Sequence, residues 1–269
     1  LGAIGFVMSS RAPNNALTTG SVADGDGSGQ QMPAVGITKE AGLLIRRLSS
    51  DTVVRLRLLA ECSTGASTTW NVVGELGGTE CPDELVVMGG HLDSHEIGPC
   101  AHDNAGGAVL VMEVARLLAR QREHLKRTVR FIGFAGEEIG LLGSHHHARL
   151  HAEELKQARF MLNCDCPGLG RPRGLAFHEC VWGESYMASL SEQMGTELFC
   201  GNRKHPHSDH YPFILQGLPT AGVVGGKIGA PTQSFIHMAG DTPDKISLTD
   251  LQDTAAFLAR FLVRAPSDS

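Results

Sequence analysis

Apolar and polar positions change rhythm near residue 69 of this 269-residue chain. Before that point, a short apolar stretch at 3–8 leads into a Gly/Ser/Asp/Asn-rich loop at 9–31, too polar to pack. An apolar run at 33–37 precedes a helical pattern over 39–48, and 53–59 alternates as VVRLRLL, the period of a half-exposed strand. Residues 1–68 therefore read as a small β-rich accessory unit. Beyond residue 69 the pattern becomes strand, helix, strand. Strands are expected at 71–76 and 84–89, around a Gly-Gly turn, and at 128–135, 159–164 and 218–224. Helices are expected at 105–120, 138–151, 184–198 and 248–263, the last opening at the capping candidate Ser247. The largely apolar run at 128–135 suits a strand buried on both faces. This order predicts an α/β fold, a three-layer αβα sandwich with a mostly parallel mixed central sheet, over residues 69–269. In such sheets functional side chains gather just past the carboxyl ends of the strands.

Composition narrows the function classes. Hydrophobic residues make up 42%, enough for a core, and no apolar stretch approaches the roughly 20 residues of a membrane span. A net charge of −6 offers no broad positive footprint, so nucleic acid is not expected as a partner. The short basic run at 120–130 reads as the end of a solvated helix. Thirteen histidines are many, and histidine is the commonest metal ligand. Seven cysteines without CxxC pairing support neither a disulfide framework nor a zinc ribbon. The sequence starts at Leu1 in a strand-like GAIGFVM without initiator Met or basic-then-apolar leader, so an upstream segment removed by processing, or a fragment, is expected. Oligomeric state is not legible.

Five polar clusters fall after predicted strands. In GGHLDS (89–94), His91 and Asp93 sit two apart and point to one side of an extended chain. His91 could bind a metal with Asp93 orienting it, though alone the pair equally suits a surface histidine. In AHDNAGG (101–107), Asp103 opens a helix, where it could cap the N-terminus or share its two oxygens between two metals. In GEEIGLLGS (136–144), Glu137 and Glu138 end a buried strand, and carboxylates are seldom buried without a partner. Adjacent positions diverge, so one could bind metal while the other serves as a base; two solvated acids at a helix start remain the alternative. In CDC (164–166), Asp165 is a plausible ligand, and the flanking cysteines read as buried, inert thiols. In IHMAGDTPDKI (236–246), His237 has Asp241 nearby as a possible orienting partner. Two histidines and three carboxylates form the donor set that borderline divalent cations prefer.

These five motifs, with HSDHYPF (207–213) between the last two, resemble the di-zinc aminopeptidase and plasma glutamate carboxypeptidase family over about three quarters of the chain. Position by position, the resemblance implies two Zn²⁺ per chain bridged by Asp103. His91 and Asp165 would complete one set, and Glu138 and His237 the other. It also implies Glu137 as general base, Asp93 as the carboxylate behind His91, and a cis peptide between Asp103 and Asn104. The implied activity is zinc-dependent hydrolysis of terminal peptide bonds, through a water shared by the two metals, with peptides as substrates. An aminopeptidase comes first. A carboxypeptidase or dipeptidase of the plasma glutamate carboxypeptidase type, a single-zinc glutaminyl cyclase and a metal-free receptor domain are alternatives. Asp209, His210 and Tyr211 are expected to line the substrate pocket, with His210 or Tyr211 steadying the oxyanion. Residues 1–68 resemble the trailing part of a protease-associated insert, and the resemblance points to a secreted or periplasmic enzyme. His145, His146 and His147 match no family motif and are expected on an exposed helix face.

Overall fold

The computed structural model describes residues 2–21, 32–63, 65–167, 173–202, 205–225 and 235–264. Among them, Phe6–Ser9 (β1) and Ala34–Ile37 (β2) pair in parallel and lead into helix Lys39–Asp51 (α1). Thr38 caps α1, its hydroxyl accepting from the amide of Ala41. No residue of α1 is buried. The expected strand at 53–59 is not formed: among the described residues it pairs with no strand, and Val53 and Leu59 are exposed. Alternation alone does not make a strand without backbone pairing to a neighbour.

The rest is built on one sheet. Its strands are Val72–Leu76 (β3), Cys81–His91 (β4), Arg127–Phe134 (β5), Ala158–Asn163 (β6), Arg173–His178 (β7), Leu198–Asn202 (β8) and Thr220–Val224 (β9). Their order is β3-β5-β4-β6-β9-β7-β8. The central four, β5, β4, β6 and β9, run parallel, while β3 and β7 join antiparallel at either side. Strand β4 lies between β5 and β6 and is covered on both faces, so Leu85–Met88 are all buried.

Alternate residues separate two layers of helices. Val86 and Met88 face a core with Gly106–Ala119 (α2), Gly183–Met194 (α5) and Leu248–Arg264 (α7). Leu85 and Val87 face the opposite core, with Leu142–Leu150 (α3), Ala152–Leu155 (α4) and Tyr211–Ile214 (α6). Helix–sheet–helix layering is therefore as expected. No helix among the described residues is long and apolar enough to cross a membrane.

Two helix boundaries differ from expectation, and two strands are additional to it. The helix after Glu138 starts at Leu142, because Gly136, Gly140 and Leu141 take positive φ and turn the chain first. The helix expected to reach 198 stops at Met194, where Gly195 adopts the left-handed conformation of a C-cap. That stop frees Leu198–Asn202 to become β8. Strand β7 was not anticipated either: RGLAFH is short and begins with a charge and a glycine. Arg173 nonetheless packs, donating to Asp253 of α7 at 3.0 Å.

Candidate metal centre

The carboxyl ends of β4 and β6 and the start of α2 supply one side of a polar pocket. His91 is the last residue of β4 and almost fully buried. Its Nδ1 donates to the carbonyl of Asp93 at 2.9 Å, which leaves Nε2 to face the pocket. Asp103 sits in a π-type turn just before α2, and the Asp103–Asn104 peptide is cis, as the resemblance implies. The amides of His102 and Asp103 donate to the two oxygens of Asp241 at 2.8 and 2.9 Å. Asn104 fastens this turn to the end of β6, donating to the Cys164 carbonyl and accepting from the Cys166 amide. Gly90 permits that approach: a Cβ there would stand 2.5 Å from the Cys164 carbonyl oxygen. Asp165, next along, accepts from Ser208, which is itself held by Asn163.

Loops supply the other side. After β5 the amides of Glu137 and Glu138 donate to the two oxygens of Asp93, each at 3.1 Å. His237 has a left-handed backbone, uncommon outside glycine. Its carbonyl accepts from the amide of Thr19 at 2.9 Å and from the Thr19 hydroxyl at 3.3 Å. Ser21 likewise donates to the carbonyl of Glu138. The N-terminal segment thus grips the backbone of both residues.

These side chains converge. His91 Nε2 lies 3.2 Å from Asp103 Oδ1 and 3.6 Å from Asp165 Oδ1. His237 Nε2 lies 3.1 Å from Asp103 Oδ2 and 3.2 Å from Glu138 Oε2. Asp103 therefore turns one oxygen to each half. In His91/Asp103/Asp165 and in His95/Glu138/His237, the donor atoms lie within 4.8 Å of one another. Despite this crowding, His91 Nε2 and Glu138 Oε1 are buried without a hydrogen bond of acceptable geometry. Buried polar atoms are rarely left so unless something else engages them. A cation fits that requirement, because both are lone-pair donors.

The electrostatics agree. Burial would lower His91, but Asp103 and Asp165 push it up to about 12. Asp103 and Glu138 raise His237 to about 10, against burial. Burial would raise Asp103, yet His237 and His91 hold it well below the usual carboxylate range. Burial, opposed by His91 and reinforced by Asp165, Asp209 and Glu138, pushes Glu137 up to about 9. The pocket is short of positive charge, and divalent ions would supply it.

Asp103, Glu137, Glu138, Asp165 and His237 line a cleft of about 710 Å³, with His210 and Tyr211 on its wall. Asp209 does not reach it: the residue is wholly buried, and burial pushes its carboxyl up to about 7. One orienting role is wider than expected and another moves. Asp93 holds the Glu137–Glu138 backbone with its carboxylate, one oxygen of which lies 3.9 Å from His91 Nδ1, and it also accepts from His91 through its carbonyl. Asp241 steadies the turn of Asp103 through the amides of His102 and Asp103, rather than orienting the His237 ring by a hydrogen bond. Cys164 is a buried thiol pushed up by burial, as expected. The histidine triplet is not an exposed face: His146 is exposed, His145 lines the cleft and His147 is buried. His95, adjoining Glu138 and His237, was missed in the sequence. The only signal was a histidine four residues after His91 on the same loop.

The sequence profile of Peptidase family M28 matches residues 71–262. A probable leucine aminopeptidase 2 of Aspergillus oryzae is 30% identical over an alignment of 240 residues, gaps included, that covers 77% of this chain and 47% of that protein. Carboxypeptidase Q of Xenopus laevis is 30% identical over 152 residues, 55% of this chain and 32% of that one. The crystal structure of a peptidase M28 precursor from Shewanella amazonensis superposes with a TM-score of 0.79 at 26% identity, covering 100% of this chain and 61% of the other. The chain thus spans about half the length of the fungal aminopeptidase it matches.

Proposed function

This chain belongs to peptidase family M28, and from that premise we propose that it is a two-zinc exopeptidase, an aminopeptidase, acting on peptides. One observation carries the proposal: Asp103 offers one oxygen to the His91/Asp165 side and the other to the Glu138/His237 side, at the mouth of one cleft. His91, Asp103 and Asp165 would hold one ion, and Asp103, Glu138 and His237 the other. A mixed set of imidazole and carboxylate donors with an open position suits zinc in a hydrolytic site. Residues 1–68 we read as an accessory unit beside the catalytic domain 69–269.

Zinc, when bound, supplies Lewis acidity that acidifies water and polarises the scissile carbonyl. The chain's own residues do the rest. Glu137 takes the proton from the attacking water and returns it to the leaving amine. It must be ionised to begin, and nearby cations favour that form over the protonated one its burial selects. Asp93 fixes Glu137 and Glu138 through their amides, so base and ligand keep a constant separation. His210 or Tyr211, on the facing wall, donates to the developing oxyanion.

Elemental analysis with parallel assays tests the proposal. Two zinc ions per chain are expected, with hydrolysis of a leucyl anilide lost to a chelator and restored by zinc. Hydrolysis indifferent to chelation would sink it. The relationship to carboxypeptidase Q favours a second reading, a carboxypeptidase or dipeptidase. Cleavage of a carboxyl-terminal dipeptide in preference to the anilide would select that reading. One zinc per chain would instead favour a glutaminyl cyclase.

A further inference from the structure

His95 stands four residues past the end of β4, on the loop that returns towards α2. The thiol of the buried Cys100 donates to its carbonyl at 3.0 Å, so the backbone beneath the ring is fixed. The ring is mostly buried, and its Nε2 is 3.0 Å from Glu138 Oε2. It meets the His237 ring edge-on, with centroids 4.4 Å apart and planes at 70°. One nitrogen of each ring therefore approaches the same carboxylate oxygen, since His237 Nε2 is 3.2 Å from Glu138 Oε2. His95 Nε2 is also buried without a hydrogen bond of acceptable geometry. An ordinary ion pair would have aligned donor and acceptor; here two imidazoles converge on one carboxylate, and His95 Nε2 and Glu138 Oε1 are left without a hydrogen bond.

We infer that His95 is a further protein ligand of the ion assigned to Glu138 and His237. This rests on the two-zinc reading given above. It makes the two halves of the centre unlike. The Glu138/His237 half would have four protein donors, counting Asp103 and His95, which is the number a closed zinc site uses. The His91/Asp165 half would have three, counting Asp103, which would leave a position for water or substrate. The first half would then retain its ion more tightly than the second.

Competition of the apo protein with a chromophoric chelator, using zinc alone, measures both affinities without activity. Cobalt-loaded protein gives a visible spectrum that reports each coordination shell. The informative variants are His95→Phe, which keeps a ring against His237, and His95→Gln, which keeps a hydrogen-bond donor towards Glu138 but is a poor zinc ligand. Loss of an outer-shell partner typically costs about 10–100-fold in metal affinity. Loss of a ligand should exceed that, so both variants are expected to weaken one site by more than about 100-fold. Both should alter the cobalt spectrum of that site alone. Wild-type affinity and spectrum in His95→Gln, with loss only in His95→Phe, would show a positioning residue and overturn the inference. Two tight sites in both variants would overturn it as well. Fewer than two zinc ions in the wild-type chain would instead overturn the two-zinc reading beneath it.

Discussion

The two halves of the pocket are held in different ways. His91, Asp103 and Asp165 stand at the ends of buried strands or at the start of a buried helix, and their backbones are fastened to one another. Glu138 and His237 stand on loops. His237 is a third exposed, against 1% for His91, and its backbone is held from outside the sheet by Thr19. A ligand on a strand end inherits the rigidity of the core, whereas a ligand on a loop depends on the few hydrogen bonds that hold that loop. Asp103 joins the two, which makes it the place where the contrast can be abolished.

Asp103→Ala should have the largest effect. Both halves lose a donor at once, so zinc content is expected to fall towards zero and hydrolysis with it. Retention of one tightly bound ion would show that the halves are independent. Glu137→Gln should come next and should leave the contrast intact. Removing only the proton acceptor is expected to reduce turnover by roughly 10²–10⁴ while zinc content and affinity stay as in the wild type. A variant that lost metal would place Glu137 among the ligands.

A smaller effect separates the sheet from the loops by pH. His147 on α3 packs between Phe134 of β5 and Phe213 of α6, and burial lowers it to about 4. Unfolded histidine titrates near 6.5. The unfolded chain therefore binds the extra proton first as pH falls. The stabilisation from the neutral ring is present above about 6.5 and is lost progressively down to about 4. Denaturant midpoints measured across that window should decline less steeply in His147→Phe. An unchanged slope would mean that the ring is not kept neutral by its packing.

Legibility in the sequence follows the same division. The strand-end ligands lie in motifs of two or three residues after a continuous apolar run, so position in the sheet follows directly from the pattern. The sheet core and its two helical layers followed from the same alternation. Roles that depend on long-range contacts did not. Asp241 could be placed near His237 by sequence, but its contact is with amides 138 and 139 positions away. Asp209 looks like a pocket residue because it sits beside His210, yet the turn before α6 sends it into the interior. Strand β7 was invisible for a related reason: its burial comes from α7 and β9, elements far along the chain, while its own residues alternate weakly.

The smallest expected effect tests whether the N-terminal segment belongs to the pocket at all. Thr19 donates from both amide and hydroxyl to the His237 carbonyl, a reach of 218 residues. Thr19→Val removes the hydroxyl and leaves shape and amide bond in place. A single hydrogen bond contributes about 0.5–1.5 kcal/mol net, so zinc affinity at the Glu138/His237 half should weaken by no more than about tenfold. The His91/Asp165 half should be unchanged, because its backbone is held within the sheet. Equal weakening of both would mean that the loop half is not separately anchored. No change at either would reduce the segment to a cover over His237, and the rigidity of that ligand would then have to come from the turn at 237–241 itself, where Met238 and Asp241 close backbone hydrogen bonds of 3.0 Å.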